Sequence, residues 1–516
     1  MNRSFIISSI LFSLLLLLLI FREINLTTAD IGRHLINGKL LLGVENFTSL
    51  KYSLLHTNFF SFTYPNFPFI NHHWGSGIIF YIIFTYFGFN GLSIFYGSLL
   101  IFSSIFLFYI FQKKIPIFIS FPIMLFVIPL IAERTEVRPE VFGYLFISIV
   151  IIILYLYNSN NINRKWLYCI PIITLILVNT HIYFIMIPFI IGMFLLEKLL
   201  RKDYIKSKIL AILLVTSTLI MMINPYGFDA IIYPFIIFKN YGYLIAENQS
   251  IVFLMRLGIE NPNFLWWLLS TSILIIFSII TLKKYPGKFP IALFGIAYIF
   301  SILSFLGIRH LTLYGLVLIP IFLNFAFILY DKSDDPKRIY THESRSILIS
   351  IIIFILILFN FNKNLPWNSN FGVGLMPSIN ASAEFVKKEK ISGPIFSNYD
   401  IGSYLIFHFY PSEKVFVDNR PEGYPIDFFK NEYIPMQENE SIWNKELIKR
   451  NFNIIYFYRK DMTPWAQPFL INRLNDQSWS PIFVDDYVII FIRRNDTNND
   501  IISKYELPKN IFSITK

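Results

Sequence analysis

The chain has 516 residues, of which 55% are hydrophobic and 15% are charged, and its formal net charge is +11. So apolar a composition over this length excludes an ordinary soluble globular protein and indicates a polytopic membrane protein. The positive charge does not indicate a nucleic-acid partner, because the basic residues fall mainly in short turns between apolar segments, as the positive-inside rule describes.

The first predicted element is an apolar run at 5–21, which is long enough to cross a bilayer. Arg3 precedes it and favours a cytoplasmic N-terminus. The loop at 22–91 then lies outside, and it contains a short apolar piece, Ile78–Phe87. Ten helical residues reach about 15 Å, roughly half of the hydrocarbon thickness, so we expect a re-entrant or interfacial helix there.

That interpretation determines on which side of the membrane each later charged turn is predicted to lie. If Ile78–Phe87 does not cross, basic turns such as 198–208 and 332–345 lie inside, as the positive-inside rule requires. The sequence then predicts a transmembrane domain at 1–361 with about eleven spans. Their approximate positions are 5–21, 92–112, 115–132, 141–157, 166–178, 182–197, 209–223, 264–281, 289–305, 311–330 and 347–361.

Residues 362–516 are polar and are expected outside, opposite the N-terminus, because the number of spans is odd. They contain short β-type runs at 394–396, 414–417, 453–457 and 487–491. Amphipathic helix candidates lie between these runs, at 380–390, 402–409 and 439–451. Such alternation predicts a small α/β domain. The predicted fold class is therefore a polytopic α-helical membrane protein with a C-terminal soluble α/β domain.

The turns predicted to lie outside mix acids with arginines and histidines, whereas the inside turns are mainly basic. Ionisable side chains at a membrane boundary are costly, and they indicate function when they converge. Arginine and histidine suit a phosphate, and a carboxylate suits the removal of a proton from a hydroxyl. The pattern predicts a site for a lipid-linked sugar phosphate. We take Asp30 as general base and Glu133 or Glu136 as a second acid; the phosphate candidates are Arg134, Arg138, His181, Arg309 and His310, and the supporting residues are Arg33, His34 and His73.

These residues also have structural explanations. Asp30 suits a helix cap, and Arg33 and His34 suit interfacial anchors. His181 is harder to explain in this way, since an unpaired imidazole within a span is expensive. In the tail, Asp418-Asn419-Arg420 follows a predicted strand, where it suits either a turn with an ion pair or a contact to the acceptor.

An ordered series of motifs runs through the chain. It comprises Asp30, His34-Leu-x-x-Gly38, His73-Trp74, Arg138-Pro139-Glu140, Asn179-x-His181, Asn224-Pro-Tyr-Gly227, Arg309-His310, and, in the tail, Ser397–Leu405 and Val415–Arg420. Over nearly the whole chain the series resembles the GT-C superfamily of membrane glycosyltransferases, and it is similar to the dolichyl-phosphate-mannose and ArnT-like type.

The resemblance implies transfer of a sugar, with inversion, from a polyprenyl-phosphate donor to an envelope lipid, glycan or protein. It places the reaction on the non-cytoplasmic face of a bacterial inner membrane, and it matches the catalytic acid to Asp30. Members often carry a second acid next to the first, but Ile31 stands there in this chain. We therefore predict no metal at Asp30, and a divalent cation elsewhere in the site stays open.

Two functions of other classes stay open as well. A lipid-linked glycan flippase or transporter would be expected to have broken helices and pseudo-symmetric halves, and the sequence has no such symmetry. A non-catalytic scaffold for envelope polysaccharide assembly would use its tail to bind saccharide or partner proteins.

Overall fold

The computed structural model describes residues 14–43, 49–112, 115–330, 345, 347–357 and 370–512. Most of these residues are helical. Besides a helical segment at 14–20, the α-helices are Ile31–Gly43, Ser49–His56, Trp74–Gln112, Ile117–Ile131, Glu140–Asn158, Cys169–Val178, Met186–Leu200, Tyr204–Ile220, Phe228–Ile236, Ile251–Arg256, Pro262–Lys284, Ile291–Leu306, Leu311–Tyr330, Ile347–Ile357, Ala381–Lys388, Gly402–Phe409, Ile434–Glu438, Glu440–Arg450, Ala466–Asn475 and Asn499–Tyr505.

Among the described residues, five helices are long and apolar enough to cross a membrane. They are Trp74–Gln112, Glu140–Asn158, Ile182–Leu200, Pro262–Lys284 and Ile308–Leu329, and shorter apolar helices accompany them. The chain is therefore a multi-pass membrane protein, whereas the number of eleven spans stays a prediction. The start of the first expected span, the end of the last one and the basic residues at 113–114 and 332–344 lie outside the described residues.

The longest helix, Trp74–Gln112, leaves the helical conformation at Gly88, where φ is 61° and ψ is −161°. The break falls directly after the apolar piece Ile78–Phe87. On either side of it, the rings of Phe84 and Phe89 pack against Phe407, with centroid distances of 5.9 and 5.6 Å. The predicted separation of this piece from the following span is thus visible as a backbone break, and its re-entrant or interfacial nature stays a prediction.

The chain divides into two compact units. The first, called the span unit here, comprises Met1–Arg22, Ser93–Ile231 and Leu244–Val373; the second, the tail unit, comprises Glu23–Leu92, Ile232–Tyr243 and Gly374–Lys516. In the span unit, Leu311–Tyr330 packs against Ile117–Ile131 and Ile291–Leu306. The tail unit joins the predicted outside loop with the C-terminal residues, whereas the sequence suggested a single division at 361.

The tail unit contains a four-stranded mixed sheet. Its strands are β1 Ile395–Ser397, β2 Ile454–Tyr458, β3 Trp479–Val484 and β4 Val488–Arg493, in the order β1-β2-β4-β3. Strand β1 is parallel to β2, and the other pairs are antiparallel. All but the last residues of these strands are largely buried, as expected for a sheet covered by helices.

Two strand predictions need correction. The run 414–417 is not a strand of the sheet, because Val415 instead forms an isolated bridge with Ser61 of the first loop. Conversely, Trp479–Val484 is a strand that the sequence analysis did not identify. Pro481 weakens its strand pattern, but proline is tolerated here because β3 lies at the edge of the sheet and has an irregular register beside Pro481.

Candidate functional site

The predicted site residues lie in two groups, one in each unit. The tail unit holds Asp30, Arg33, His34 and His73, and the span unit holds Glu133, Arg134, Glu136, Arg138, His181, Arg309 and His310. The two groups are described separately.

Asp30 lies at the start of the Ile31–Gly43 helix, where its carbonyl oxygen accepts the His34 amide at 3.3 Å. In a capped helix the N-cap side chain usually accepts from an amide at the position that Arg33 occupies here. The Arg33 amide donates to Ser403 Oγ at 2.9 Å. A side chain of a neighbouring helix therefore satisfies this amide, and the role of Asp30 as helix cap or general base stays a prediction.

The contact with Ser403 depends on a close approach of two helices. Gly32 faces Gly402–Phe409 so tightly that a Cβ atom would lie 2.7 Å from the Ser403 carbonyl oxygen and 2.9 Å from Phe407 Cβ. Only glycine permits this approach without a shift of backbone. The sequence Asp30-Ile31-Gly32-Arg33 thus places the acid and the arginine against the first tail motif.

The Arg33 side chain is 5% exposed, and its Nε has no hydrogen-bond partner. Within the described ranges its guanidinium also forms no ion pair. Burial lowers its pKa, the Arg420 charge lowers it further, and the negative charges of Asp30, Asp418 and Glu422 oppose both effects. A buried guanidinium whose N–H groups lack acceptors destabilises the fold, unless an anion accepts hydrogen bonds from it. Arg33 therefore has the properties of an anion-binding residue.

Arg420, by contrast, has an ion-pair partner and further hydrogen bonds. Its Nε and NH2 donate to the two carboxylate oxygens of Asp418 at 2.8 and 2.5 Å, and NH2 also donates to Asn58 Oδ1 at 2.7 Å. The guanidinium lies 4.7 Å from the ring centroid of Phe69. The predicted ion pair of the second tail motif is present, and it is buried rather than solvated.

Asn419 joins the two tail motifs to the first loop. Its Nδ2 donates to the Asp400 carbonyl oxygen at 2.8 Å and to that of Thr28 at 3.4 Å, while its Oδ1 accepts the Ser403 amide at 2.9 Å. The two tail motifs and the Asp30 stretch therefore meet within the tail unit. The sequence analysis quoted both motifs but assigned no tail residue to the site.

Two further carboxyl groups of the tail unit have raised pKa values. Burial, followed by the charges of Asp461 and Asp30, raises the pKa of Asp400 to about 8. Burial also raises the pKa of Glu422 to about 7, although its own amide and the charges of Arg33 and Arg420 oppose that shift. One carboxylate oxygen of Glu422, Oε2, is buried and has no hydrogen-bond partner.

The histidines of the first loop lie together. The His34 and His73 rings are 5.6 Å apart in an edge-on arrangement, and the His72 ring is 3.8 Å from that of His73. In the part of the chain that the structure describes, no group of three or more His, Cys, Asp or Glu side chains could hold a metal ion.

In the span unit, arginines and glutamates alternate in one buried network. Glu140 Oε1 accepts from Arg134 NH2 at 3.1 Å and from Arg309 NH2 at 3.0 Å. Arg134 also pairs with Glu247, whose Oε1 accepts from Arg138 NH1 at 3.1 Å. Three arginines that we predicted as phosphate ligands are thus each paired with a carboxylate.

At the edge of this network, arginine and glutamate side chains are paired as well. Arg138 also pairs with Glu136 at 2.8 Å. Burial alone would raise the pKa of Glu247, but Arg134 and then Arg138 lower it to about 2. Glu247 was not identified from the sequence, since it lies in a polar loop with no recognisable motif.

Glu133 occupies a different environment from Glu136. Asn261 Nδ2 and Asn263 Nδ2 donate to its two carboxylate oxygens at 2.9 and 2.5 Å. Burial raises the pKa of Glu133 to about 7, and the two amides and the Arg134 charge oppose that shift. Its hydrogen bonds hold Glu133 between structural partners, whereas Glu136 is more exposed and pairs with Arg138.

The two span-unit histidines are linked through one tyrosine. His181 is fully buried, and its Nδ1 accepts the Tyr183 amide at 3.2 Å. The Tyr183 hydroxyl lies 3.1 Å from His310 Nδ1. His181 and His310 therefore belong to the same neighbourhood, as the phosphate hypothesis requires, and their roles stay predictions.

No protein-family model matches the chain, and no curated protein resembles it significantly in sequence. Solved structures do resemble it. One is the archaeal oligosaccharyltransferase AglB from Archaeoglobus fulgidus, in complex with an inhibitory peptide and a dolichol-phosphate, with a TM-score of 0.60 and 10% identity over 93% of this chain and 74% of that chain.

ArnT from Cupriavidus metallidurans is similar in two states. Bound to undecaprenyl phosphate, it gives a TM-score of 0.51 and 10% identity, over 96% of this chain and 98% of that chain. In the apo state it gives a TM-score of 0.51 and 12% identity, over 94% and 97%. The chain therefore shares the fold of AglB and ArnT, which confirms at the level of fold the resemblance suggested by its sequence.

Proposed function

We propose that the protein is a membrane glycosyltransferase that moves a sugar from a polyprenyl-phosphate-linked donor to an envelope acceptor on the non-cytoplasmic face of a bacterial inner membrane. The fold supports the class, because both AglB and ArnT were solved with a polyprenyl-type phosphate. One observation carries the proposal to this chain: Asp30 stands three residues before a buried arginine that has no ion-pair partner among the described residues.

The chemistry follows from these two groups. Asp30 takes the proton of an acceptor hydroxyl while that oxygen attacks the anomeric carbon of the donor sugar. The bond between the anomeric carbon and the phosphate oxygen breaks, and its electron pair leaves with the polyprenyl phosphate. Arg33 donates to this phosphate as its charge grows, which stabilises the transition state more than the ground state. Attack opposite the leaving group inverts the anomeric centre.

The remaining predicted residues have secondary roles in this proposal. We prefer Glu136 over Glu133 as the second acid, because two asparagines hold the carboxylate of Glu133. Arg134, Arg138, Arg309, His181 and His310 form a second polar region that would receive the acceptor or a donor phosphate. A divalent cation is not required by this scheme. The sugar, the acceptor and the polyprenol length are left open.

The test is a transfer assay with the full chain in lipid nanodiscs, using membrane extracts of the source bacterium as donor and acceptor. Asp30→Asn removes the base and should lower transfer at least about 100-fold, the usual contribution of a general base. The matched control is Asp500→Asn, since Asp500 is exposed in the same unit. Undiminished transfer by Asp30→Asn would refute the assignment. In sealed proteoliposomes, lipid-linked sugar that crosses the bilayer without bond formation would favour the transporter.

A further inference from the structure

Besides Arg33, two other side chains of the tail unit have unused hydrogen-bonding capacity. The Tyr399 side chain is 5% exposed, and its hydroxyl is buried without a partner. The Oε2 atom of Glu422 is buried and also lacks one. Most buried polar groups in proteins are satisfied, so three open groups in one neighbourhood indicate a ligand that supplies their partners.

Contacts anchor both residues in the tail unit. The Tyr399 ring stacks on Tyr243 with a centroid distance of 4.3 Å, and the Tyr399 amide donates to the Tyr433 hydroxyl at 2.7 Å. Glu422 lies in the Pro421–Gly423 turn directly after the buried Asp418–Arg420 pair. These contacts fix the position of the Tyr399 ring and of the Glu422 backbone.

Hydrogen bonds bring the backbones of the three residues into one neighbourhood. The Arg33 amide donates to Ser403 Oγ, and Asn419, three residues before Glu422, accepts the Ser403 amide and donates to the carbonyl oxygen of Asp400, which follows Tyr399. The charge of Glu422 acts on both Arg33 and Tyr399, and the charge of Asp30 acts on the same two residues. The neighbourhood therefore combines a cationic donor, a hydroxyl that both donates and accepts, and a carboxylate acceptor. A phosphate would accept hydrogen bonds from the Arg33 guanidinium, and hydroxyl groups would bond to the Tyr399 hydroxyl and the Glu422 carboxylate.

We infer that Tyr399 and Glu422 form a subsite for the donor sugar ring, which binds ring hydroxyls while Arg33 holds the phosphate. The inference rests on the proposed function, because it assumes a sugar joined to that phosphate. The anomeric carbon of the sugar is bonded directly to a phosphate oxygen. A site that holds the phosphate at Arg33 therefore brings the ring hydroxyls close to the Tyr399 hydroxyl and the Glu422 carboxylate. Tyr399 and Glu422 are then specificity-determining residues.

The experiment compares two lipids on the same protein. The full chain in nanodiscs is titrated with bare undecaprenyl phosphate and with undecaprenyl-phosphate-linked glucose, galactose and mannose, and the ratio of their Kd values is measured. Wild type should bind one sugar-linked lipid more tightly than the bare lipid. Glu422→Ala and Tyr399→Phe should each reduce that preference about tenfold, since an unmatched buried polar contact is costly.

Matched variants separate the subsite from general damage. Glu422→Gln keeps an oxygen acceptor and should retain more of the preference than Glu422→Ala, whereas an equal loss in both would mean that the ligand brings a cation and would overturn the hydroxyl assignment. Glu438→Ala and Tyr52→Phe alter exposed side chains of the same unit and should leave the preference unchanged.

The outcomes also distinguish the subsite from the proposed function. If wild type binds the bare lipid, and Arg33→Ala weakens that binding, the phosphate assignment stands. A preference that is absent in wild type, or unchanged in Glu422→Ala and Tyr399→Phe, then overturns the subsite alone. If the wild type binds neither the bare lipid nor any of the sugar-linked lipids, both the proposed function and the subsite are refuted.

Discussion

Glu140 is the most constrained acid of the span-unit network, and Glu140→Gln tests whether that network is a buried electrostatic unit. Glu140 is 2% exposed and accepts from both Arg134 and Arg309. The glutamine keeps one oxygen acceptor but removes the charge. Arg134 retains its pairing with Glu247, whereas Arg309 loses the carboxylate it pairs with and retains the Asn248 side chain at 2.9 Å. The variant therefore leaves the largely buried Arg309 guanidinium without an ion-pair partner among the described residues.

The exposure of the partners sets the size of the effect. Breaking a buried ion pair by removing one partner costs about 3–5 kcal/mol, because the remaining charge keeps its desolvation penalty. The Glu136 side chain is 29% exposed and that of Glu140 is 3% exposed, so the Glu136–Arg138 pair faces water more. Glu136→Gln should therefore cost only about 0–1 kcal/mol. The two variants make the same chemical change at neighbouring positions.

The assay is thermal unfolding of both variants in detergent, followed by the fluorescence of the tryptophans. For a chain of 516 residues, the unfolding entropy of typical proteins converts each kcal/mol into about 1 °C of Tm. Glu140→Gln should lower Tm by about 3–5 °C. Adding Arg309→Met to it should recover part of the loss, as a coupled pair does in a double-mutant cycle. Equal Tm values for Glu140→Gln and Glu136→Gln would contradict the reasoning.

Three further substitutions test the backbone at two glycines and the pH dependence of stability at Asp400. Gly88→Ala should destabilise the protein by about 1–3 kcal/mol in the same assay, because φ is 61° and the added Cβ meets no atom within 4 Å, so strain acts alone. Gly192→Ala, in a regular helix with equally open space, should instead stabilise by about 0.5–1 kcal/mol. For Asp400, burial and then neighbouring carboxylates raise the pKa from 3.8 to about 8. The unfolded chain binds fewer protons than the folded one between these values, so wild-type stability falls as pH rises through that range. Asp400→Asn removes this loss, and its Tm advantage should grow from pH 4 to pH 8; a constant difference would contradict it.

The sequence predicted local elements well where the pattern was long or amphipathic. Gly402–Phe409 forms at the predicted positions, and Glu440–Arg450 begins after an Asn439 cap, as such a signal indicates. Short apolar runs were less informative. The run 414–417 and the strand Trp479–Val484 differ because tertiary contacts, and not local preference, decide which backbone pairs.

The candidate site was predicted only in part, for a related reason. Charge patterning identified Asp30 and Arg33, because charged residues are rare in an apolar chain. The contributions of Ser403 and Asn419 depend on contacts across more than 350 residues of sequence, and residue spacing does not encode such contacts. The first tail motif was recognisable, but its position against the Asp30 helix depends on the close approach at Gly32, which becomes evident only in three dimensions.

Comparison of the two arginine groups changes the preferred phosphate ligand. A phosphate that approached Arg134, Arg138 or Arg309 would have to displace carboxylates already bound there, and the gain would be offset by the buried acids left behind. A phosphate at Arg33 displaces no carboxylate from that guanidinium and satisfies a donor that is open in the described structure. The same anion therefore gains more at Arg33 than in the span-unit network. Arg33, which the sequence suggested only as a supporting residue, is therefore the phosphate ligand that we prefer for the proposed enzyme.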